Sequence, residues 1–371
     1  MNYFVIAGER SGDLHGGNLV KALKKYDSNA VIEGVGGDYM QTAGVSLNTH
    51  YRELAFMGFI EVVKNINTVS RYIRKTKNEI LAFKPDAIIL IDYGGFNMRI
   101  AKFAKKHNIK VYYYITPKVW AWYQRRALAL KKNVTKMFVI LPFEKDFFRQ
   151  FDTDVDYVGN PVMDAVKQHI PDKSFPSNYQ IDESRDLVAL LPGSRKQELQ
   201  RMVPIMAEVV KAFPEITFGV AVVNNLDGSL YEPFRYFPNV SLIPEDTYNL
   251  LLNSRAAIVT SGTATLETAL FRVPQVVIYK ASASTYRVVK LMIKVKFISL
   301  VNLIAGKQVI KELIQHDANV TTIGEELKRL LADGKYRSDM LSNYDQIIQT
   351  LDIGSASDNA ARLIVQYLRA S

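Results

Sequence analysis

The stretch DAIILIDYGGFN, residues 86–97, decides how this chain is read. Ala87–Asp92 (AIILID) is apolar on both faces of an extended segment, as a strand in the middle of a parallel sheet must be. It ends on a carboxylate and a glycine-bearing turn. Working outward, Tyr3–Ala7 is another short apolar run, broken by Gly8 and followed by helical spacing over Leu14–Lys25. Ala30–Val35, Val111–Ile115 and Lys136–Leu141 repeat the strand signal, with a helix over Ile100–Asn108 between two of them. Strands alternating with helices predict a doubly wound parallel sheet with ligands at the carboxyl ends of its strands.

The rhythm restarts further on. Leu187–Leu191, Ile216–Val223, Val240–Ile243, Ala256–Thr260 and Gln275–Tyr279 read as strands, with helices over Arg195–Phe213 and Thr263–Phe271 and helical periodicity from Glu325 onward. The polar stretch PDKSFPSNYQIDESRD, residues 171–186, reads as a linker. The expected organisation is a first α/β domain over 1–170, joined by a C-terminal helix over 355–371, and a second over 171–354, facing each other across a cleft.

Length and composition agree. A chain of 371 residues with 48% hydrophobic side chains suggests about two domains, each with its own core. With no cysteine, disulfides, thiolate nucleophiles and zinc–thiolate sites are excluded, and five scattered histidines argue against a histidine metal cluster. MNYFVIAGER has no signal-peptide pattern, and no run is long and apolar enough for a spanning helix. The charge is lopsided: residues 1–150 hold 24 basic and 12 acidic side chains, and Tyr93–Phe143 holds no acid at all. Nucleic acid, a phosphorylated substrate and an anionic membrane are the partners such a half suggests.

Several loops carry candidate chemistry. Asp92, where a buried strand opens out, suits a general base, or else caps the turn before the next helix. GERSGD, residues 8–13, matches neither a dinucleotide fingerprint nor a nucleophile elbow. Its plainest reading is a tight turn with Ser11 or Asp13 capping the helix. Thr116–Trp122 holds both tryptophans, Trp120 and Trp122, just before Arg125 and Arg126; it is readable as core aromatics or as a lipid- or phosphate-facing surface. In LPGSR, residues 191–195, Ser194, the Gly193 backbone and Arg195 are placed to meet a phosphate at a helix N-terminus, although no Walker lysine follows. In SGTATLE, residues 261–267, small residues permit close approach of a diphosphate. Residue 264 is Ala, so Glu267 lacks a capping-box partner and is free for ribose hydroxyls. Asp152, Asp154 and Asp156 imitate a metal motif but read as a polar turn, and His316 beside Asp317 reads as surface.

In this order GERSGD, FMGFIEVV (56–63), IDYGGFN (91–97), TPKVWAWYQRR (116–126), LPFE (141–144), YVGNP (157–161), LPGSR, SGTATLE and NLIAGKQVIKELIQ (302–315) resemble the motifs of lipid-A-disaccharide synthases over nearly the whole chain. The resemblance implies a GT-B fold and an inverting, metal-independent glycosyltransferase without a cofactor. Such an enzyme moves 2,3-diacylglucosamine from its UDP conjugate to the 6-hydroxyl of 2,3-diacylglucosamine 1-phosphate, forming a β-1,6 disaccharide and UDP. Carried over, Asp92 matches the general base, and Glu9, Ser11 and Asp13 the acceptor loop. Arg195, Ser261, Gly262, Thr263, Glu267, Asn302 and Gln315 match the UDP side. Gly94 stands where the family usually has proline, Asn160 where it more often has histidine, and Arg10 is bulkier than the common residue.

The same resemblance implies docking on the cytoplasmic face of the inner membrane, and it admits a homodimer with exchanged C-terminal segments. Phe56, Met57, Phe59 and Ile60 form an apolar strip flanked by Lys64, Arg71, Arg74, Lys75 and Lys77, suited to an anionic membrane surface. Tyr286–Phe297 is a second basic apolar stretch, readable either as membrane contact or as core. The competing readings are another UDP-sugar enzyme of the same fold, such as an epimerase or a peptidoglycan glucosaminyltransferase, and a nucleic-acid binder. No recognisable nucleic-acid module supports the last, and no nucleic-acid partner is expected.

Overall fold

The computed structural model describes residues 1–53, 66–282, 286 and 295–370. The chain divides into two compact units, Met1–Pro161 with Asp352–Ser371, and Val162–Leu351. The first runs β1 (Asn2–Ala7), α1 (Arg10–Tyr26), β2 (Val31–Gly36), α2 (Asp38–Thr42), β3 (Ser46–His50), α3 (Ile66–Phe83), β4 (Ala87–Ile91), α4 (Gly94–Lys106), β5 (Lys110–Tyr114), α5 (Arg126–Asn133), β6 (Lys136–Val139), α6 (Phe143–Arg149) and β7 (Asp156–Tyr157). Its sheet has the order β3-β2-β1-β4-β5-β6-β7, every pair parallel. The strand order reverses between β1 and β4, which pair Tyr3 to Ala87 through Ala7 to Ile91. All five residues of β4 are buried, as the sequence demands of a strand covered on both faces. The C-terminal helix Ala356–Arg369 packs into this unit, with Ala360, Ala361, Ile364 and Val365 in one core with Leu19, Val20 and Leu23 of α1.

The second unit begins inside α7 (Pro161–Gln168) and continues through α8 (Phe175–Asn178), β8 (Leu187–Leu191), α9 (Lys196–Ala212), β9 (Thr217–Val222), β10 (Val240–Pro244), α10 (Thr247–Leu252), β11 (Ala256–Thr260), α11 (Ala264–Leu270), β12 (Gln275–Tyr279), α12 (Leu300–Ala305), β13 (Lys311–Ile314), α13 (Val320–Leu331) and α14 (Lys335–Leu351). Its sheet, β10-β9-β8-β11-β12-β13, is again parallel throughout and reverses between β8 and β11. Each unit therefore has one switch point, where two strands diverge to opposite sides and leave a crevice at their carboxyl ends.

The stretch 171–186 is not a free linker. Phe175 is fully buried in the second core, the Tyr179 carbonyl accepts from Ser241 Oγ at 3.0 Å, and the Asp172 amide donates to Asn249 Oδ1 at 2.9 Å. The boundary accordingly falls at Pro161, before this segment, and its polar composition reflects an exposed outer face. Among the described residues no helix is long and apolar enough to cross a membrane.

Candidate active site

At the first switch point, two loops lie side by side. Asp92 and Tyr93 both have left-handed backbone, with φ of 44° and 48°, between β4 and α4. For residues with a Cβ this costs on the order of 1–3 kcal/mol each, so neighbours must hold it. The Asp92 carbonyl accepts from the Tyr113 hydroxyl at 2.6 Å and from Asn97 Nδ2 at 2.8 Å, and its amide donates to the Ile115 carbonyl at 3.1 Å. The elbow is fixed from α4 and β5 together. Gly94 opens α4, a position where proline is also suited; a Cβ there would stand 3.1 Å from Pro117. The freedom that Gly94 brings is thus limited by Pro117 packed against it.

Asp92 keeps contact with solvent. Protein crowded around it nevertheless strips much of its hydration, and its carboxyl is raised above the ordinary carboxylate value. Desolvation is the larger cause and the Glu9 charge the second, while Lys118 and the Tyr93 amide pull the other way. The GERSGD loop thus brings Glu9 alongside Asp92, with Ser11 exposed near it in the chain. Gly8 lies under the Tyr93 ring, where a Cβ would overlap it. Asp13 is placed differently. It is 1% exposed, and its carboxylate accepts from the amides of Gly37 (2.7 Å), Tyr39 (3.0 Å) and Met40 (3.0 Å), capping α2. Its carboxylate is thus engaged in holding the start of α2. Burial pushes His15, on the same helix, down to about 4, so it is neutral near pH 7.

The two tryptophans separate. Trp120 is 5% exposed and donates to Glu144 Oε1 at 3.2 Å, which removes it from the expected lipid-facing set. Trp122 is 47% exposed beside exposed Arg125 and Arg126. Phe56, Met57, Phe59 and Ile60, with most of 286–297, lie outside the described residues. Asp154 and Asp156 both pair with Lys136, at 2.8 and 3.6 Å.

At the second switch point, Gly193 is left-handed with φ of 112°, turning the chain from β8 into α9. The amides of Ser194 and Arg195 donate to Glu198 Oε2 at 3.0 and 3.2 Å, and Arg195 Nη1 meets Glu198 Oε1 at 3.0 Å. The donors expected to meet a phosphate thus already hold an anion, supplied from the first turn of the same helix. Gly262 and Thr263 are exposed on the loop after β11, and Ser261 Oγ donates to the Ile298 carbonyl at 3.0 Å. Glu267 accepts from the Tyr248 hydroxyl at 3.1 Å; burial raises its carboxyl and that hydrogen bond opposes the rise.

Asn302 and Gln315 are engaged internally. Asn302 is fully buried, its amide donating to the Ile310 carbonyl and to Glu312 and its oxygen accepting from the amides of Val309 and Ile310. Its amide therefore has no capacity left for uridine. Gln315 pairs with both the amide (2.8 Å) and carbonyl (3.3 Å) of Ala281. Sequence reasoning missed Glu144 as a site residue: it accepts Thr116 Oγ1, Trp120 Nε1 and the amides of Ile140 and Leu141, and burial pushes it up to about 7. The one sequence signal was LPFE itself, a glutamate inside an otherwise apolar turn.

Two parallel sheets of like topology, each with functional loops at its switch point, define the GT-B class of nucleotide-sugar enzymes. A kitacinnamycin glycotransferase structure aligns over 99% of both chains with a TM-score of 0.67 at 13% identity. The UDP-GlcNAc 2-epimerase from Neisseria meningitidis aligns over all of both chains with a TM-score of 0.66 at 15% identity. The lipid-A-disaccharide synthetase family model matches residues 3–365. The lipid-A-disaccharide synthase of Syntrophus aciditrophicus (strain SB) is 37% identical over 99% of this chain and 98% of that protein. The chain belongs to the lipid-A-disaccharide synthase family.

Asp13→Ala leaves three amides without an acceptor, those of Gly37 and Met40 buried, at about 1–3 kcal/mol for a buried unsatisfied group. A clear drop in melting temperature is expected, read by circular dichroism. A melting temperature equal to that of the parent would show that Asp13 is not the anchor of α2.

Proposed function

We propose that this protein is the glycosyltransferase that forms the lipid A disaccharide. It transfers 2,3-diacylglucosamine from UDP to the 6-hydroxyl of 2,3-diacylglucosamine 1-phosphate. The observation that carries the residue-level reading is Asp92, a solvent-touching carboxylate with a raised pKa on a strained elbow at a switch point. In an inverting transfer, that carboxylate takes the proton of the attacking hydroxyl as the new C1–O bond forms on one face. The bond from C1 to the diphosphate oxygen breaks on the other, its electron pair leaving with UDP. Glu9 favours proton uptake by raising the affinity of Asp92 for it, and Lys118 keeps Asp92 ionised at rest.

UDP is assigned to the second unit. A diphosphate brings more charge to the Ser194 and Arg195 amides than one carboxylate does, so it is suited to replace Glu198 there, with the Arg195 guanidinium following it. Glu267, one turn into α11, is available to ribose hydroxyls through the oxygen that Tyr248 does not hold. No metal or cofactor enters this scheme. Asp13, Asn302 and Gln315 support the loops from behind and do not touch substrate.

Membrane docking is assigned to the surface of α5 and the turn before it. Trp122, Tyr123 and Leu128 are 47%, 56% and 54% exposed, among exposed Arg125, Arg126, Lys131 and Lys132. Apolar side chains among cations suit an anionic leaflet of the inner membrane.

Asp92→Asn is expected to abolish disaccharide formation while UDP-sugar affinity, measured by calorimetry, survives; normal turnover in the folded variant would remove Asp92 as the base. Because its pKa is raised, the rate of the parent enzyme is expected to fall as pH drops through a value above that of an ordinary aspartate. Arg195→Ala should weaken UDP binding roughly tenfold or more, as loss of a charge-assisted contact does, and an unchanged affinity would remove its phosphate role. Joint replacement of Arg125 and Arg126 by Ala should cut sedimentation with anionic phospholipid vesicles by more than about tenfold at low salt, at ~1 kcal/mol per basic residue. Equal sedimentation of parent and variant would exclude this face from docking.

A further inference from the structure

Glu144 is a buried carboxylate with no role in the transfer described above, and its contacts are unusual in kind. It is 2% exposed. Oε1 accepts from Thr116 Oγ1 at 3.3 Å and Trp120 Nε1 at 3.2 Å, both on the loop after β5. Oε2 accepts from the amides of Ile140 and Leu141, at 3.1 and 2.9 Å, at the end of β6. Four donors converge from two loops, and only a side chain with an acceptor at both ends satisfies all of them. A glutamine would turn an NH2 group toward one of the two pairs. Burying such a carboxylate is costly, and burial raises its pKa despite every one of these hydrogen bonds. An apolar side chain would fill the same space but leave those four donors without an acceptor, so the position calls for two acceptor oxygens and not for volume alone.

The loop that Glu144 holds is the one that touches the Asp92 elbow. Ile115, just before it, supplies the carbonyl that receives the Asp92 amide at 3.1 Å. Pro117 packs against Gly94, two residues beyond Asp92. Lys118 brings the positive charge that reaches Asp92. The Val119 amide turns back onto the Pro117 carbonyl at 2.6 Å, so Lys118 sits at the apex of a tight turn whose two flanks, Thr116 and Trp120, are both tied to Glu144. Trp120 is further held edge-on against Phe143, with ring centroids 5.0 Å apart.

We propose that Glu144 is a positioning residue for the base: by pinning both ends of the Thr116–Trp120 turn, it holds the Lys118 charge within reach of Asp92 and Pro117 against Gly94. It acts through Lys118 and touches neither substrate nor the reacting atoms. This inference rests on the reading of Asp92 as the base, and the Asp92→Asn variant tests that reading separately.

The test is the pH profile of kcat/KM for disaccharide formation in Glu144→Gln, Lys118→Ala and the double variant. Glu144→Gln should move the acidic limb upward by about half a unit, a threefold loss of rate on that limb, with the KM for the UDP-sugar unchanged. Lys118→Ala should move it the same way, and the double variant should move it no further than Lys118→Ala alone. Trp120→Phe, which removes one donor and keeps the ring, should give a smaller shift in the same direction, and it serves as the readout where Glu144→Gln does not fold. An acidic limb that stays in place in the folded variants, with the rate lowered equally at every pH or only the melting temperature reduced, would overturn the proposal. An additive shift in the double variant would overturn it too, because Glu144 would then act independently of Lys118.

Discussion

The carbonyl oxygen of Asp92 receives two hydrogen bonds, from the Tyr113 hydroxyl and the Asn97 amide, at the point where two successive residues turn left-handed. The rest of the first unit is arranged around keeping that turn. β4 must be buried to give it a rigid base, β5 must lie next to β4 to present Tyr113, and α4 must start at once to present Asn97. Strain in a peptide persists only where several independent contacts hold it, and here they come from two different elements. The result is a carboxylate pointed by backbone geometry, with the Tyr93 amide of the same turn donating to it.

The second unit uses the same topology with a different electrostatic device. At its switch point no residue is strained apart from the positive-φ glycine at 193, and the exposed donors are satisfied by Glu198 from within the helix they begin. A capping carboxylate stabilises the helix start, and in the proposed reading it is the group a diphosphate has to displace. Behind the other loop, Ser299, Asn302 and Glu312 form a closed network, with the Glu312 oxygens accepting from the Ile298 and Ser299 amides. The neighbouring Ile298 carbonyl in turn receives Ser261 Oγ. Asn302 and Gln315 are therefore residues that match a ligand-binding motif and yet are satisfied within the protein.

Central strands were legible because burial on both faces writes itself as a continuous apolar run, as in Ala87–Ile91 and Ala256–Ala257-Ile258-Val259. Two edge strands were not, although β10 at another edge was read over Val240–Ile243. SLNTH and KELI, the outer strands β3 and β13, are polar on one side and only four or five residues long, so their pairing is decided by neighbours distant in sequence. The 171–186 stretch misled for a related reason: one buried Phe175 anchors it, and a single anchor carries no periodicity. That the candidate loops sit at the carboxyl ends of strands followed from the alternation of strands and helices. The fate of each side chain within them did not, because whether Asp13 or Asn302 faces a ligand or the backbone depends on how the chain folds back to present the amides of Gly37, outside the GERSGD motif, or of Val309, inside its own motif. Tryptophans two residues apart read alike in sequence, and only the position of Glu144 tells them apart.

That last point also bears on the charge of the segment around it. The run without acids from Tyr93 to Phe143 ends at Glu144, and this carboxylate faces inward. Its negative charge therefore does little to offset the surface cations of the same segment, since a group buried behind Trp120 and Phe143 projects little field into water. Arg125, Arg126, Lys131 and Lys132 are all exposed, so the surface of that segment stays cationic. Glu144 draws one tryptophan and one threonine of the loop into the protein, and the next turn of chain is left to carry Trp122 and the arginines outward. A single inward carboxylate thus orders the approach to the base on one side of the loop and leaves the other side uniformly cationic. A surface carboxylate at the same place would offset those cations and leave the Lys118 turn untethered.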